Sequence, residues 1–103
     1  MHYRIGQRLV ASLSDEVLYD RIFDLTNQLN FGIEILSSTE ERDELARYNY
    51  IAATKASKAT AFEGARKYLQ IAWDLLGTGG WIGQPELMAQ VTEALVEVEY
   101  SLT

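Results

Sequence analysis

Few side chains in this sequence are suited to chemistry. Acid–base or Mg²⁺ chemistry would use the carboxylates of Glu40, Glu41, Asp43 and Glu44, which lie close together in the sequence. These residues also stand at the start of a predicted helix, where acids favour the helix dipole. We therefore interpret the cluster as a solvated helix face.

Nucleophilic and transition-metal chemistry have little support. His2 is the only histidine, and the chain has no cysteine. A nucleophile–base pair would have to use His2 beside the N-terminus, and a zinc site would need mostly carboxylates. Gly77-Thr78-Gly79-Gly80 lacks the Lys-Ser or Lys-Thr of a phosphate-binding loop. We predict no catalytic residue, no metal and no cofactor.

Basic and aromatic residues are the remaining candidates for contacts. Lys55, Lys58, Arg66 and Lys67 surround a predicted turn between two helices. They could bind an anion or an acidic partner, although solubilising charge is the favoured interpretation. A second set, Trp73 and Trp81, could line a ligand pocket, but aromatic residues at helical spacing more often form core contacts.

Charge is unevenly distributed along the 103 residues. Residues 1–67 hold all nine Lys and Arg against ten Asp and Glu, whereas residues 68–103 hold five acids and no base. This balance disfavours nucleic acid and anionic membrane surfaces as partners. Two of these acids, Glu93 and Glu97, lie one helical turn apart and could meet a basic partner, although a solvent-facing role is favoured.

The sequence predicts a cytoplasmic location. No signal peptide precedes residue 12, and no apolar stretch approaches the roughly 18 residues of a membrane-spanning helix. The lack of cysteine is compatible with a reducing compartment. We therefore expect a protein partner and no membrane insertion.

Apolar periodicity predicts an all-α fold of antiparallel helix pairs. We expect helices over residues 2–11, 15–29, 39–57 and 59–76, then a glycine-rich loop and a last helix from Pro85. Ser38 and Glu41 fit a capping box at the start of the third helix. Small residues at Ala53, Ala65 and Ala72 would let helices approach closely, which is typical of helical repeats.

The last helix carries an apolar stripe. Val91, Leu95, Val98 and Leu102 lie along one side of it. In a helical array, each repeat buries its apolar face only against its neighbours. We therefore expect this side to stay partly uncovered, and the isolated chain to form a homodimer through it.

Four motifs in order along the chain carry a family resemblance. The first is His2-x-x-Ile5-Gly6-x-x-Leu9. The second is Ile22-Phe23-Asp24-Leu25-Thr26-Asn27-Gln28-Leu29-Asn30-x-Gly32. The third is Glu41-Arg42-x-Glu44-Leu45-Ala46, leading through Asn49 and Ala52-Ala53 to Lys55-Ala56-x-x-Ala59-x-Ala61-Phe62-x-x-Ala65-x-x-Tyr68-Leu69. The fourth is Trp81 with Glu97-x-x-Tyr100.

These motifs resemble the segment beside the ATPase module of bacterial multi-sensor Ser/Thr kinases. Those proteins, often cyanobacterial, carry an AAA-type ATPase, a GAF sensor and frequently a histidine kinase. The resemblance implies that residues 1–103 form one tetratricopeptide-like domain of a larger protein. This domain would be a non-catalytic scaffold contacting the neighbouring ATPase or kinase modules, or another signalling protein. The family's kinase and ATPase motifs are absent, so no catalytic residue is carried over.

Two other functions stay open at this point. The chain could be a free-standing adaptor that binds a peptide in a helical groove. It could also be a small-ligand sensor with a pocket near Trp73 and Trp81. In each interpretation the candidate contact residues are Lys55, Lys58, Arg66, Lys67, Trp73, Trp81, Val91, Leu95, Val98 and Leu102.

Overall fold

A computed structural model describes residues 15–36 and 38–103. Within this part the chain is helical and contains no strand, which confirms the all-α prediction. The helices are α1 (Asp15–Asp20), α2 (Ile22–Asn30), α3 (Thr39–Lys58), α4 (Phe62–Leu76), α5 (Gly80–Gly83) and α6 (Pro85–Leu102). A 3₁₀ turn, Ile33–Ile35, precedes α3. The helix predicted over residues 2–11, with His2, lies outside the described residues.

The predicted helix over residues 15–29 is two helices. Arg21 interrupts it with a non-helical backbone, φ −106° and ψ 11°. The hydrogen bonding nevertheless continues, because Arg21 N–H donates to the Val17 carbonyl and the Arg21 carbonyl accepts from Leu25 N–H. The two helices therefore follow each other with only a local distortion between them.

The start of α3 confirms the cap predicted at Ser38. The Ser38 hydroxyl oxygen accepts a hydrogen bond from Glu41 N–H at 3.1 Å, and the hydroxyl donates to the Glu41 carboxylate. This satisfies one of the backbone N–H groups that a helix N-terminus leaves unpaired. The extended backbone of Ser38, φ −122° and ψ 153°, fixes where α3 begins.

The turn between α3 and α4 corrects the predicted start of the fourth helix. Thr60 adopts a left-handed conformation with φ 57°. Thr60 N–H donates to the Ser57 carbonyl and Ala61 N–H to the Ala56 carbonyl, both at 2.9 Å. These two bonds form a Schellman motif, which ends a helix. The fourth helix therefore begins at Phe62 rather than at Ala59.

The predicted loop after α4 contains a short helix. Gly77 follows Leu76 with φ 59°, which accords with the predicted helix end. The four residues of α5 then lead into Pro85 at the start of α6. Gly80 packs so closely that a Cβ there would lie 2.9 Å from Leu76 Cβ and 3.0 Å from Met88 Sδ. The loop is thus a compact corner between α4 and α6.

Successive long helices run antiparallel and pack side by side. α3 packs most extensively on α4, α4 on α6, and α2 on α3. The small residues of the middle stretch are buried at the helix contacts as predicted, with Ala53, Ala65 and Ala72 at most 1% exposed. The remaining core is made of larger apolar side chains, among them Ile22, Leu45, Leu69, Met88 and Val91.

A reciprocal amide pair joins α2 to α3 inside this core. Asn49 is fully buried. The Asn30 side-chain amide donates to Asn49 Oδ1 at 3.0 Å, and the Asn49 amide donates to Asn30 Oδ1 at 2.9 Å. The Asn49 amide also donates to the Leu45 carbonyl. The buried Asn49 amide is therefore hydrogen-bonded, and so is the half-buried Asn30 amide.

Candidate interaction surface

A groove runs between α3 and α6 across the surface of α4. Its volume is about 210 Å³. α4 supplies Phe62 and Leu69 to its lining, while the two walls are Tyr50, Ala53, Thr54 and Ser57 of α3 and Ala94, Glu97, Val98 and Ser101 of α6. Most of these side chains are small or apolar, so the groove is suited to receive an apolar group.

Sequence reasoning did not find this groove. Its residues come from three helices and span positions 50 to 101 of the chain. Ala53 was predicted as a helix contact and Val98 as part of the apolar stripe, but nothing local marks Tyr50 or Ser101 as their neighbours. The spacing of small residues indicated close packing, although it did not indicate where the packing leaves a gap.

Lys55 is used inside the fold. Its ammonium donates to the carbonyls of Tyr19 and Asp20, at 2.9 and 3.2 Å, at the C-terminal end of α1. It also lies 4.9 Å from the centre of the Tyr19 ring and 5.3 Å from that of Phe23. Lys58 lies over the same Tyr19 ring at 5.9 Å. These two lysines thus hold α1 against α3.

The other two predicted basic residues lie on α4. Arg66 pairs with Glu99 of α6 at 3.4 Å, and both side chains are about half exposed. Lys67 is exposed. Lys55 and Lys58 are therefore directed to α1, and Arg66 is directed to α6. These three side chains and the exposed Lys67 thus do not form a common anion-binding site.

Trp73 and Trp81 contact each other. Their ring centres are 6.5 Å apart and the ring planes are at 82°, an edge-to-face arrangement. Trp73 is half-buried, whereas Trp81 is 50% exposed. The pair links α4 to α5, and Trp81 presents its other side to solvent.

The apolar stripe of α6 is covered in part by the chain itself. Val91 is 0% and Val98 3% exposed, while Leu95 and Leu102 are half-buried. α6 packs these residues towards α4, its main neighbour. The expectation that this side of α6 stays partly uncovered is met at Leu95 and Leu102 but not at Val91 and Val98. Dimer formation by the isolated chain stays a prediction. The apolar residues that α6 exposes are Val96 and Tyr100.

The carboxylates at the start of α3 border an open depression of about 380 Å³. Glu40, Asp43 and Glu44 line it together with Arg47, Tyr48 and Gln84. The Tyr48 hydroxyl donates to the Glu44 carboxylate. Among the described residues, no three His, Cys, Asp or Glu side chains lie close enough together to hold a metal ion. Within the same residues, no helix combines the length and apolar character needed to cross a membrane.

One relative links part of this chain to signal transduction. A stretch of 55 residues is 46% identical to a hybrid signal transduction histidine kinase G of Dictyostelium discoideum. The stretch covers 53% of this chain and about 2% of the length of that protein. No protein-family model matches the chain, and no solved structure matches it. The similarity supports a relationship between this chain and a region of a signalling kinase.

Proposed function

We propose that this chain is a non-catalytic helical scaffold in a multidomain signal-transduction kinase of the multi-sensor Ser/Thr type. It makes contacts between domains of that protein or with another signalling protein. The observation that carries the proposal is the 46% identity over 55 residues to a signalling kinase of which this chain spans about 2%. A match of this extent suits a structural region within a large protein.

The helical packing supports the scaffold role. Several polar side chains form hydrogen bonds between helices, as in the Asn30–Asn49 pair and the contacts of Lys55 with α1. α2 also reaches α4, where the Tyr68 hydroxyl donates to Asn27 Oδ1 at 2.8 Å and the Tyr68 ring stacks on Phe23. We infer from this layered contact a tetratricopeptide-like array, in which neighbours stabilise each other.

The size of the native polypeptide tests the proposal. An antibody raised against residues 1–103 would be used on a blot of lysate from the source cells. We expect a band far larger than 11.6 kDa, the mass of this chain. A single band near that mass would contradict the multidomain proposal. It would favour the free-standing adaptor, for which the groove between α3 and α6 offers a peptide site.

The non-catalytic part of the proposal has its own test. The purified chain would be incubated with labelled ATP and Mg²⁺, and both hydrolysis and transfer of label to protein would be followed. We expect neither reaction above the level of a heat-denatured sample. Transfer of label to the chain or to an added protein would overturn this part.

A further inference from the structure

The groove between α3 and α6 is too small for a typical small-molecule site. Drug-sized ligands occupy pockets of roughly 300–1,000 Å³. The groove has a volume of about 210 Å³, and the small side chains of Ala53, Ser57 and Ala94 form part of its lining. This space suits one apolar side chain from a partner, since interface energy is concentrated in such anchors.

One wall of the groove continues into an acidic stripe along α6. The stripe consists of Glu86, Gln90, Glu93, Glu97 and Ser101, all of them exposed. Steps of four, three, four and four residues place them on one side of the helix. Glu97 and Ser101 are also groove residues. An acidic edge therefore runs directly beside the apolar space.

Within residues 15–36 and 38–103, the carboxylates of this stripe form no salt bridge. Residues 68–103 contain no lysine or arginine. The ion pair that α6 makes within the described residues uses Glu99, which lies on another side of the helix. Glu93 and Glu97 repel each other mildly at a separation of one turn. A partner that brings positive charge would relieve this repulsion.

We propose that the groove and the acidic stripe together dock a basic amphipathic helix of a partner protein. An apolar side chain of that helix enters the groove, and its Lys or Arg side chains lie along Glu86, Glu93 and Glu97. The stripe is about 22 Å long at 1.5 Å per residue. A partner helix has the same repeat, so a row of bases at steps of three and four matches it, whereas an extended strand does not.

Charge argues against the other occupants. A second copy of this chain carries a net charge of −6 and brings the same acidic stripe. Nucleic acid would be repelled by the stripe for the same reason. The inference deepens the proposed scaffold role by giving the chemistry of its partner. It is tested separately, because the antibody experiment does not depend on this groove.

The direct test is a titration of the complete 103-residue chain with labelled synthetic helical peptides. The probe carries Leu along one face and Lys along the flanking positions. One matched peptide replaces each Lys by Glu, and another replaces each Leu by Ser. We expect saturable binding of the probe by fluorescence anisotropy, weakening as salt rises. The peptide with Glu for Lys and the peptide with Ser for Leu should both bind much more weakly than the probe.

Two variants locate the binding on the chain. Glu93→Gln with Glu97→Gln removes two charges from the stripe and should lower the affinity for the probe about threefold to twentyfold. The matched control, Asp24→Asn with Glu34→Gln, removes two exposed charges elsewhere and should change the affinity less than about twofold. Ala94→Phe fills the groove and should weaken binding about tenfold or more.

Several results would overturn the proposal. It fails if the probe does not bind, or if the acidic peptide binds as well as the basic one. If the stripe variant and its control lower the affinity for the probe equally, binding depends only on the net charge of the chain and not on the stripe. If the Ala94→Phe chain folds and binds the probe with unchanged affinity, the groove is not part of the binding site. If Ala94→Phe does not fold, the two charge variants decide the outcome, because their side chains are exposed.

Discussion

Asn30 and Asn49 show how single residues specify the contact between two helices. Each amide both donates to and accepts from the other. An apolar pair would tolerate small rotations, whereas two paired amides require one geometry. Thr26 adds to the contact from the same helix as Asn30, since its hydroxyl faces the Tyr48 carbonyl at 3.5 Å. Specificity at this interface is therefore set by polar atoms inside an apolar core.

A double-mutant cycle tests this contact. Asn49→Ala should lower the free energy of unfolding by about 1–3 kcal/mol, because the half-buried Asn30 amide and the Leu45 carbonyl both lose their hydrogen-bond partner. Asn30→Ala should have a similar effect. The double variant should cost less than the sum of the two, which urea denaturation of all four proteins measures. Strict additivity would mean that the two amides do not interact.

Thr60 is a second residue whose replacement is informative. It is β-branched and adopts a left-handed backbone, which costs an L-residue about 1–2 kcal/mol. Thr60→Gly should raise the free energy of unfolding by about 0.5–1 kcal/mol, since the relief of strain exceeds the entropy that glycine adds to the unfolded chain. Thr78→Gly, in the exposed corner after α4, serves as control and should bring no gain. A destabilised Thr60→Gly protein would contradict the Schellman geometry.

Helix ends differ in how well the sequence predicts them. The start of α3 follows from Ser38 and Glu41, because a side-chain cap is a local arrangement of particular residue types. The start of α4 was placed three residues early. A threonine in the left-handed region carries no compositional signal, unlike glycine at position 77. Local chemistry therefore predicts an end only where the residue type itself favours the backbone that ends the helix.

The corner between α4 and α6 depends on the absence of one side chain. Gly80→Ala would place a methyl group 2.9 Å from Leu76 Cβ, which is close to the backbone and cannot rotate away. We expect thermal unfolding to show a loss of about 1–2 kcal/mol. Gly83→Ala is the matched control, because nothing lies within 4 Å of its added Cβ. Equal stability of the two variants would contradict the close approach.

At the scale of the whole molecule, periodicity could not predict how much of the α6 stripe the chain itself covers. The stripe of Val91, Leu95, Val98 and Leu102 was recognised as apolar, but its covering surface was assigned to a neighbour outside the chain. α4 packs against α6, and Val91 and Val98 are buried, whereas Leu95 and Leu102 stay half-buried. The groove was missed for a related reason, since residues as distant as Tyr50 and Ser101 become neighbours only after the helices stack.

The role of this stripe as core can be measured. Val91→Ala should lower the free energy of unfolding by about 1–3 kcal/mol through a cavity. The dependence of the unfolding midpoint on protein concentration tests the expected homodimer separately, because association stabilises the folded chain as the concentration rises. Val96→Ala, at a position 65% exposed on the same helix, should change stability by less than about 0.5 kcal/mol. A midpoint that rises with protein concentration in the unchanged chain, but not in Val91→Ala, would support a homodimer through this stripe.

The amide pair between α2 and α3 also has a mechanical consequence. Sliding either helix along the other by one turn, about 5.4 Å, would break both hydrogen bonds between the amides and leave the buried Asn49 side chain without its partner. Axial force applied to α2 is therefore carried into α3 as shear load, while the apolar contacts on either side resist bending. Under such a load, α2 and α3 should therefore move together as one rigid unit.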